Sequence, residues 1–309
     1  MSSAKGTFVS ISAFSEMVDS FLSYLQNEKR LSPNTVLAYQ KDLAQFYQFI
    51  QEDFETDKPS EATFREIRAW IVSLSNQKLA NTSINRKIAT LKSFYSFLLR
   101  KNKINKNPTL KIQSLKTPSK PPVFVSETGM TQLLEELSFT DDFAGNRDQM
   151  IIELLYGTGL RLTELINIKL TDLDLFDAKL SVLGKRSKYR IIPISGKLRL
   201  NLSTYLGKRT NEFEQSSEYL FLTNKGQKLY PVFVQRLVKK YLTMVSTQTK
   251  RSPHVLRHTF ATHLLNKGAD LNAIKELLGH SSLSATQIYT HNSIEKLKDI
   301  HKLAHPKAG

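Results

Sequence analysis

Apolar residues recur every three or four positions through most of the first hundred residues, a spacing typical of amphipathic helices. Ser32 followed by Pro33 marks the start of one of them, because serine caps a helix N-terminus and proline fits its first turn. The pattern therefore predicts an all-helical domain over residues 10–105. Its helices are expected near residues 13–29, 33–52, 62–76 and 81–100.

Periodicity is lost over residues 106–122, which are rich in Lys, Asn and Pro, so this segment is predicted to be a basic linker. A second domain is expected over residues 123–309, ending in a short apolar-striped helical tail. Within it, KLSVLGKRSKYRIIPI at 179–194 combines two β-rich runs around a charged turn and predicts a β-hairpin. The chain is therefore predicted to be mainly α with a small antiparallel β-sheet. Further helices are expected near 127–138, 146–156, 197–211, 231–246, 253–267 and 271–278.

Basic residues outnumber acidic ones by 44 to 28, which gives a formal net charge of +16. No acidic residue occurs between Glu66 and Glu127, between Asp177 and Glu212, or between Glu218 and Asp270, and these windows hold 30 of the 44 bases. Such segregation is expected of a protein that faces nucleic acid. A solvated basic surface without a specific partner is the alternative.

Composition excludes several other classes of function. The absence of cysteine excludes a disulfide scaffold, a thiol nucleophile and Cys-ligated metal sites. No apolar run approaches the roughly 20 residues of a membrane helix, and the N-terminus lacks the features of a signal peptide. We therefore expect a soluble cytoplasmic protein without a membrane partner. The sequence also lacks a phosphate-binding GxxxxGK[ST] motif and a carboxylate cluster that would suit a two-metal nuclease.

The segment His254-Val-Leu-Arg257-His258 follows a Ser-Pro helix start. His254 and Arg257 are three positions apart and share a helix face near the partially positive N-terminus, which favours an anion site. The structural alternative is a helix start that holds an Asp or Glu. A metal site with His258 and His263 is disfavoured because the offset of nine residues turns His263 away from the other two.

Other chemistry-bearing residues precede and follow this segment in a regular order. Arg161 lies in Gly-Thr-Gly-Leu-Arg at a predicted helix start, with Glu164 three residues further on to hold it. Lys185 occupies the hairpin turn, where Lys188 is the alternative lysine. Downstream, His280 follows a predicted helix end and Tyr289 comes nine residues later.

These motifs, in this order, resemble the tyrosine recombinase (phage integrase) family. The resemblance rests on TGLRLTEL, LGKRSKYRIIPI, HVLRHTFATHLL and LLGHSSLSATQIYTH, together with LSPNTVLAYQKDLAQFYQFI in the first half. It covers nearly the whole chain and is closest to the bacterial Xer-type site-specific recombinases. It implies a helical, SAM-like core-binding domain and a mixed α/β catalytic domain that together form a C-shaped clamp on DNA.

The resemblance implies a reaction that needs neither a metal nor another cofactor. Tyr289 would attack the phosphodiester and form a 3′-phosphotyrosine, with His254 assisting proton transfer beside it. Lys185 would protonate the leaving 5′-oxygen. Such a cleavage requires a nucleophile, positive charge at the non-bridging oxygens and a proton for the leaving group.

The same resemblance assigns the phosphate-binding roles. Arg161 and Arg257 would clamp the phosphate, because a guanidinium keeps its charge and can stand in for a metal ion. His280 would donate a hydrogen bond to a phosphoryl oxygen, and Glu164 would orient Arg161 and Lys185. The predicted catalytic set is thus Arg161, Lys185, His254, Arg257, His280 and Tyr289, supported by Glu164.

The implied partner is double-stranded DNA with a specific recombination site, bound by a homo- or hetero-tetramer on two duplexes through a Holliday junction. A paralogous recombinase and a septal DNA translocase are further partners that the resemblance implies for a role in resolving chromosome dimers at cell division. The C-terminal tail would exchange between subunits. Five basic side chains of the first domain are predicted to contact DNA: Arg86, Lys87, Lys92, Lys101 and Lys103.

Three alternatives stay open at this point. The chain could be the integrase of a mobile element, a protein with type IB topoisomerase activity, or a DNA-binding protein without catalysis. A DNA-binding protein without catalysis would not require Tyr289 or Lys185. Strand transfer between two duplexes would distinguish a recombinase from a topoisomerase.

Overall fold

The computed structural model of the chain describes residues 4–55, 59–117, 123–137, 139–184, 189–213 and 217–279. The chain divides into two compact units, Met1–Lys120 and Pro121–Gly309. Within the described residues, no helix combines the length and the apolar character needed to span a membrane.

The first unit consists of helices, as the apolar spacing predicts. Ser32 caps α2 as expected, because its hydroxyl accepts a hydrogen bond from the Thr35 amide. Thr63 and Glu66 form a reciprocal capping box at the start of α3. The first helix begins at Ala4, well before the predicted residue 13. The helices are α1 (Ala4–Ser23, continued by a π-helical turn at Tyr24–Glu28), α2 (Pro33–Phe54), α3 (Phe64–Asn76) and α4 (Asn81–Arg100), with a 3-10 turn at Pro59–Glu61.

Aromatic side chains form much of the core of this unit. Phe21, Phe46 and Phe94 are fully buried. The rings of Phe21 and Phe94 meet edge to face at 5.3 Å between centroids, and Phe46 lies 5.0 Å from Trp70. Burying each such ring contributes about 1.5–3 kcal/mol, so these contacts account for much of the attraction between α1, α2, α3 and α4.

The second unit combines helices with a three-stranded antiparallel sheet of order β1-β2-β3. The predicted hairpin is present, with Leu180 paired to Ile192 and Val182 paired to Arg190. The elements are α5 (Glu127–Thr131, continued by a π-helical turn at Gln132–Glu136), α6 (Phe143–Thr158), α7 (Leu162–Asn167), a 3-10 turn at Leu170–Asp172, β1 (Leu173–Asp174), β2 (Lys179–Leu183), β3 (Tyr189–Pro193), α8 (Gly196–Phe213), α9 (Pro231–Val245), α10 (Pro253–Asn266) and α11 (Leu271–Leu278).

Helix α6 lies at the centre of this unit and packs against α8 and α10. Its apolar residues from Met150 to Leu155 are buried on several faces, so a single amphipathic stripe does not describe it. The helix ends at Gly159, whose φ of +62° reverses the chain into α7. Asp270 caps α11 as predicted, and α11 ends at Gly279, which has a similar conformation with φ +63°. The C-terminus of α11 comes close to the α6–α7 turn, where Leu278 borders Gly159.

Candidate active site

The N-terminus of α7 holds Arg161 and Glu164 in a closed local arrangement. Glu164 Oε2 accepts a 2.8 Å hydrogen bond from the Arg161 amide, and Oε1 accepts another of 2.8 Å from Arg161 Nη1. Arg161 thus occupies the N-cap position, where the carboxylate satisfies an otherwise unpaired backbone donor. The side chain of Arg161 keeps 36% of its surface exposed, whereas Glu164 is buried. The arrangement presents one edge of the Arg161 guanidinium to solvent.

Arg190 on β3 contacts the same carboxylate and was not singled out by the sequence motifs. Its Nη1 and Nη2 donate to Oε1 and Oε2 of Glu164, both at 2.8 Å, in a bidentate ion pair. Its Nε donates to the carbonyl of Leu277 at 3.1 Å. One sequence signal could have identified it: strand alternation places Arg190 on the inward face with Ile192, and a buried arginine requires an acidic partner.

Arg257, in the second turn of α10, is buried with only 5% of its surface exposed. Its Nη1 donates to the carbonyl of Gly159 at 2.5 Å, and its Nη2 donates to the carbonyl of Leu278 at 2.6 Å. The guanidinium therefore joins the α6–α7 turn to the end of α11. Two backbone carbonyls fix its plane without neutralising its charge.

Three successive carbonyls at the end of α11 each accept a hydrogen bond from a different arginine. Leu277 binds Arg190, Leu278 binds Arg257, and Gly279 binds Nη2 of Arg161 at 3.1 Å. Carbonyls in the last turn of a helix lack intrahelical partners and carry the negative end of its dipole, so they attract cations. The helix end thus gathers guanidinium groups from α7, β3 and α10.

The electrostatics of this cluster are unbalanced toward positive charge. Among the residues that the structure describes, the three guanidiniums of Arg161, Arg190 and Arg257 face a single carboxylate, Glu164. Burial opposes the ionisation of Glu164, but the hydrogen bonds and charges of Arg190 and Arg161 prevail and lower its pKa. Burial and the charge of Arg161 lower the pKa of Arg257 to about 10, so it stays protonated at neutral pH. An added anion would relieve this repulsion.

His254 and His258 lie on the exposed side of α10, next to the arginines. Their rings are 4.4 Å apart between centroids. Partial burial lowers the pKa of His254, and the neighbouring His258, Arg257 and Arg161 lower it further, which favours the neutral imidazole. His263 is separate from this pair: it is buried, and its Nδ1 lies 3.0 Å from the hydroxyl of Tyr156. Its burial and its contact with Tyr156 give it a packing role between α6 and α10.

The structure therefore brings together four of the predicted site residues, Arg161, Glu164, His254 and Arg257. Lys185, His280 and Tyr289 lie outside the described residues, so their predicted roles and the predicted contact between Glu164 and Lys185 stay predictions. Two of these three residues are close in sequence to described site residues: Lys185 lies five positions before Arg190, and His280 directly follows Gly279.

The basic residues of α4 differ in their availability to DNA. Lys87 is buried, with its ammonium bound to Oδ1 of Asp42 at 3.0 Å and to Gln45, and lying 5.8 Å from the centre of the Trp70 ring. Burial of a lysine requires such pairing, and the charge of Lys87 is compensated within the unit. We therefore withdraw Lys87 from the predicted DNA-binding set.

The other four predicted cations retain exposed surface. Arg86 also binds Asp42, but 44% of its side chain is exposed. Lys92 is half-buried, whereas Lys101 and Lys103 are exposed just after the end of α4. Their contacts with DNA stay predictions.

Comparison with known protein families identifies both units. The family model described as "Phage integrase family" matches residues 124–296, and that described as "Phage integrase, N-terminal SAM-like domain" matches residues 18–102. Proteins named "Tyrosine recombinase XerC" are similar over almost the full length. That of Chlorobaculum parvum is 39% identical over 94% of this chain and 94% of its own, and that of Oceanobacillus iheyensis is 39% identical over 94% and 96%.

Solved structures share the fold. A XerH site-specific recombinase bound to its palindromic difH substrate has a TM-score of 0.68 and 20% identity, covering 92% of this chain and 93% of its own. The integrase of the Tn1549 transposon, in complex with transposon end DNA, has a TM-score of 0.67 and 20% identity, covering 94% and 99%. The predicted resemblance and the predicted fold class are confirmed.

Proposed function

This chain belongs to the phage integrase family of tyrosine recombinases, and from this premise we propose that it cleaves and rejoins DNA at a specific site through a covalent 3′-phosphotyrosine. The observation that carries the proposal is the charge imbalance of the site. In the part of the chain that the structure describes, three guanidiniums surround one carboxylate, and two of them, Arg161 and Arg257, belong to the motifs of the family. A phosphodiester supplies the anion that this cluster lacks.

Arg161 and Arg257 clamp the non-bridging oxygens of the scissile phosphate. Both guanidiniums are held by fixed acceptors, so they need little reorganisation as charge builds up in the transition state. Each presents planar donors that suit phosphate oxygens. Glu164 orients Arg161 without cancelling the charge of Arg257.

The chemical step moves two protons and exchanges one bond. The hydroxyl oxygen of Tyr289 attacks phosphorus while its proton passes toward His254, whose neutral form is favoured. The bond from phosphorus to the 5′-oxygen breaks, and Lys185 donates a proton to that oxygen, while His280 donates a hydrogen bond to the phosphate. The products are a 3′-phosphotyrosine and a free 5′-hydroxyl. Attack by the 5′-hydroxyl of another strand reverses the step, so rejoining needs no external energy source.

We assign the first domain, residues 10–105, to core binding of the duplex and residues 123–309 to catalysis, joined by the basic linker 106–122. Arg86, Lys92, Lys101 and Lys103 are the proposed contacts of the first domain with DNA. The tail after Tyr289 is proposed to dock on a neighbouring subunit. A chain ending at Asn292 should then bind DNA but recombine poorly; undiminished recombination by that chain would contradict the tail's role.

The biological role proposed is the resolution of chromosome dimers at cell division, in the cytoplasm. It is supported by relatives named "Tyrosine recombinase XerC" at 36–39% identity across more than nine-tenths of the chain. The working assembly is a tetramer on two duplexes, formed by this chain alone or with a paralogous recombinase, and a septal DNA translocase is the proposed regulator. Integration of a mobile element is the second candidate role, since the Tn1549 transposon integrase has the same fold.

A suicide substrate tests the proposed reaction. A duplex is selected from random-sequence DNA by repeated binding to the chain, and a nick is placed close to the candidate scissile phosphate. The short 5′-hydroxyl fragment then diffuses away, and the covalent product accumulates. We expect an adduct that survives denaturing electrophoresis with the native chain and none with Tyr289→Phe.

Binding without any adduct would leave only a DNA-binding protein. Transfer of the cleaved strand to a second duplex is expected of a recombinase, whereas relaxation of supercoils without such transfer would favour a topoisomerase. The selected sequence itself distinguishes the biological roles, because a chromosomal site outside any mobile element supports dimer resolution and a mobile-element end supports integration.

A further inference from the structure

Arg190 is buried, with 6% of its surface exposed, and it makes three hydrogen bonds inside the second unit. Two go to Glu164 and one goes to the Leu277 carbonyl at the end of α11. Its guanidinium also lies beneath Gly279: a Cβ at that residue would come within 3.4 Å of Nη1 of Arg190. Arg190 therefore connects β3, α7 and the last residue described before His280.

Each carboxylate oxygen of Glu164 accepts hydrogen bonds from both Arg161 and Arg190. Oε1 accepts from Nη1 of Arg161 and Nη1 of Arg190, and Oε2 accepts from the amide of Arg161 and Nη2 of Arg190. Arg161 reaches both oxygens through its amide and Nη1, whereas Arg190 reaches both through one planar fork from β3, so Arg190 fixes the carboxylate plane from outside α7. Since Arg161 is held by that same plane, its orientation depends on Arg190.

We propose that Arg190 is a positioning residue of the phosphate clamp, acting on Arg161 through the carboxylate of Glu164. The inference rests on the proposed phosphodiester cleavage. In this role Arg190 acts without touching the phosphate, because it is buried and its Nε, Nη1 and Nη2 each donate to Glu164 or to the carbonyl of Leu277. Among the described residues, removing it leaves only Arg161 to hold the carboxylate, so the two can shift together and Arg161 loses its alignment with the phosphate oxygens.

Two other roles for Arg190 give different outcomes. As a mere counter-ion for buried Glu164, Arg190 would support folding alone. As an anchor for the β2–β3 hairpin, Arg190 would act through Lys185, the proposed leaving-group acid, which lies between these two strands in the sequence. Measuring cleavage on two substrates, one whose leaving atom needs a proton and one whose leaving atom does not, distinguishes the positioning, counter-ion and anchoring roles of Arg190.

The probes are two nicked suicide duplexes of the binding-selected sequence. One has the natural 5′-oxygen at the scissile phosphate, and the other has sulfur in place of that bridging oxygen. In the second, the bond from phosphorus to sulfur breaks and the leaving thiol has a pKa of about 8.5, so no proton donor is required. Lys185→Ala serves as the reference for a lost acid, slowed on the oxygen substrate and restored on the sulfur substrate.

The matched control is Arg209→Met. Arg209 is buried in the same unit and donates to the carbonyls of Ser217 and Tyr219, neither of which is a site residue. Its loss should lower the unfolding temperature while leaving the cleavage rate of the folded fraction unchanged. Arg190→Lys is the second test variant, since it keeps the charge and one contact to Glu164 but loses the fork.

We expect Arg190→Met to slow cleavage of both substrates by the same factor, about 10- to 100-fold, as is typical when an orienting group is removed. DNA binding should stay within about threefold of the native chain. Arg190→Lys should melt close to the native temperature and still cleave both substrates several-fold more slowly. Glu164→Gln combined with Arg190→Met should add little to the single defects, because the two residues act as one unit.

Restoration of Arg190→Met by the sulfur substrate would assign Arg190 to the leaving-group acid and overturn the proposal. Rates equal to those of the native chain in folded Arg190→Met or Arg190→Lys would overturn it too, since Arg190 would then be a counter-ion only. Should Arg190→Met not fold, the rate of Arg190→Lys decides between these. If the native chain itself forms no adduct with either duplex, the proposed function fails, and this result is distinct from any defect of the variants.

Discussion

The guanidinium of Arg257 donates a 2.5 Å hydrogen bond from Nη1 to the carbonyl oxygen of Gly159, which lies 98 residues earlier in the chain. Gly159 adopts a φ of +62°, a conformation in which its carbonyl turns toward α10 at the end of α6. A side chain at Gly159 would meet Phe260 Cδ1 and Leu278 Cδ2 at 2.6 Å. The position of a clamp arginine thus depends on one backbone conformation available at low cost only to glycine.

Gly159→Ala should lower both stability and cleavage. The positive φ costs an alanine about 1–2 kcal/mol, and forcing Phe260 and Leu278 aside costs roughly 1–3 kcal/mol more. Displacement of Leu278 also moves a carbonyl that accepts from Arg257. Urea unfolding and adduct formation on the suicide duplex are the measurements.

Gly268→Ala is the control for this change, because Gly268 has a φ of +82° and a Cβ added there would meet no heavy atom within 4 Å. Gly268→Ala should lower the unfolding free energy only by the cost of the positive φ, and the folded variant should cleave at the native rate. Equal losses of stability in the two variants would contradict the predicted crowding at Gly159.

Arg257→Lys should cripple cleavage although the charge is unchanged. An ammonium cannot donate to the carbonyls of Gly159 and Leu278 in one plane while reaching the phosphate. The expected loss in rate is about 10²- to 10³-fold, the range for removing a donor to transition-state charge. Single-turnover cleavage at saturating DNA provides the test, and a rate within about threefold of native would exclude Arg257 from the clamp.

The pH dependence of cleavage should report His254. Burial, His258 and the two arginines lower its pKa, so the neutral base persists to a pH below the ordinary value of about 6.5. The rate at low protein and DNA concentrations, which reflects the free protein, should therefore be flat near neutrality and fall only as the pH drops below that value. His254→Gln should be slower at neutral pH and should lose this acidic limb.

The sign of the corresponding stability effect follows from the same shift. Since the folded protein binds a proton at His254 less readily than the unfolded chain, His254 reduces stability as the pH falls below 6.5. The cost disappears as the pH rises above the unfolded pKa. If the fall in cleavage rate at acidic pH were unchanged in His254→Gln, that fall would belong to the titration of another group.

Asp42→Asn should strongly destabilise the first unit. Asp42 is buried and binds Lys87, Arg86 and the hydroxyl of Thr90. Its loss leaves the buried ammonium of Lys87 without a counter-charge, which costs about 3–5 kcal/mol. Asp53→Asn changes an exposed carboxylate on the same helix and should alter the unfolding free energy by less than about 0.5 kcal/mol. Comparable midpoints in urea for the two variants would contradict the assigned pairing.

Local features of the chain proved readable without the structure. Ser32 caps α2 and Asp270 caps α11, as their spacing to the following amides predicts. Gly279 ends α11, and the two β-rich runs at 179–194 pair as a hairpin. These features depend on residues a few positions apart, where side-chain geometry and backbone conformation are coupled directly.

The early start of α1 at Ala4 and the burial of Lys87 were not predicted. Lys87 directly follows Arg86 on α4, and the sequence alone gives no reason to place either cation away from solvent. Only the packing of α2 against α4 places Asp42 beneath them. The partner lies more than 40 residues away, and no local pattern encodes such a contact.

The sequence by itself determined which residue types are present in which order, the helices that carry them and the excess of positive charge. Only the tertiary structure decided that Glu164 is shared by Arg161 and Arg190, and that three successive carbonyls at the end of α11 and its cap hold three arginines. The physical reason is that ion pairs and helix-end contacts select whichever partner packing brings within hydrogen-bond distance. Here the helix-end partners are separated by 21 to 118 residues along the chain.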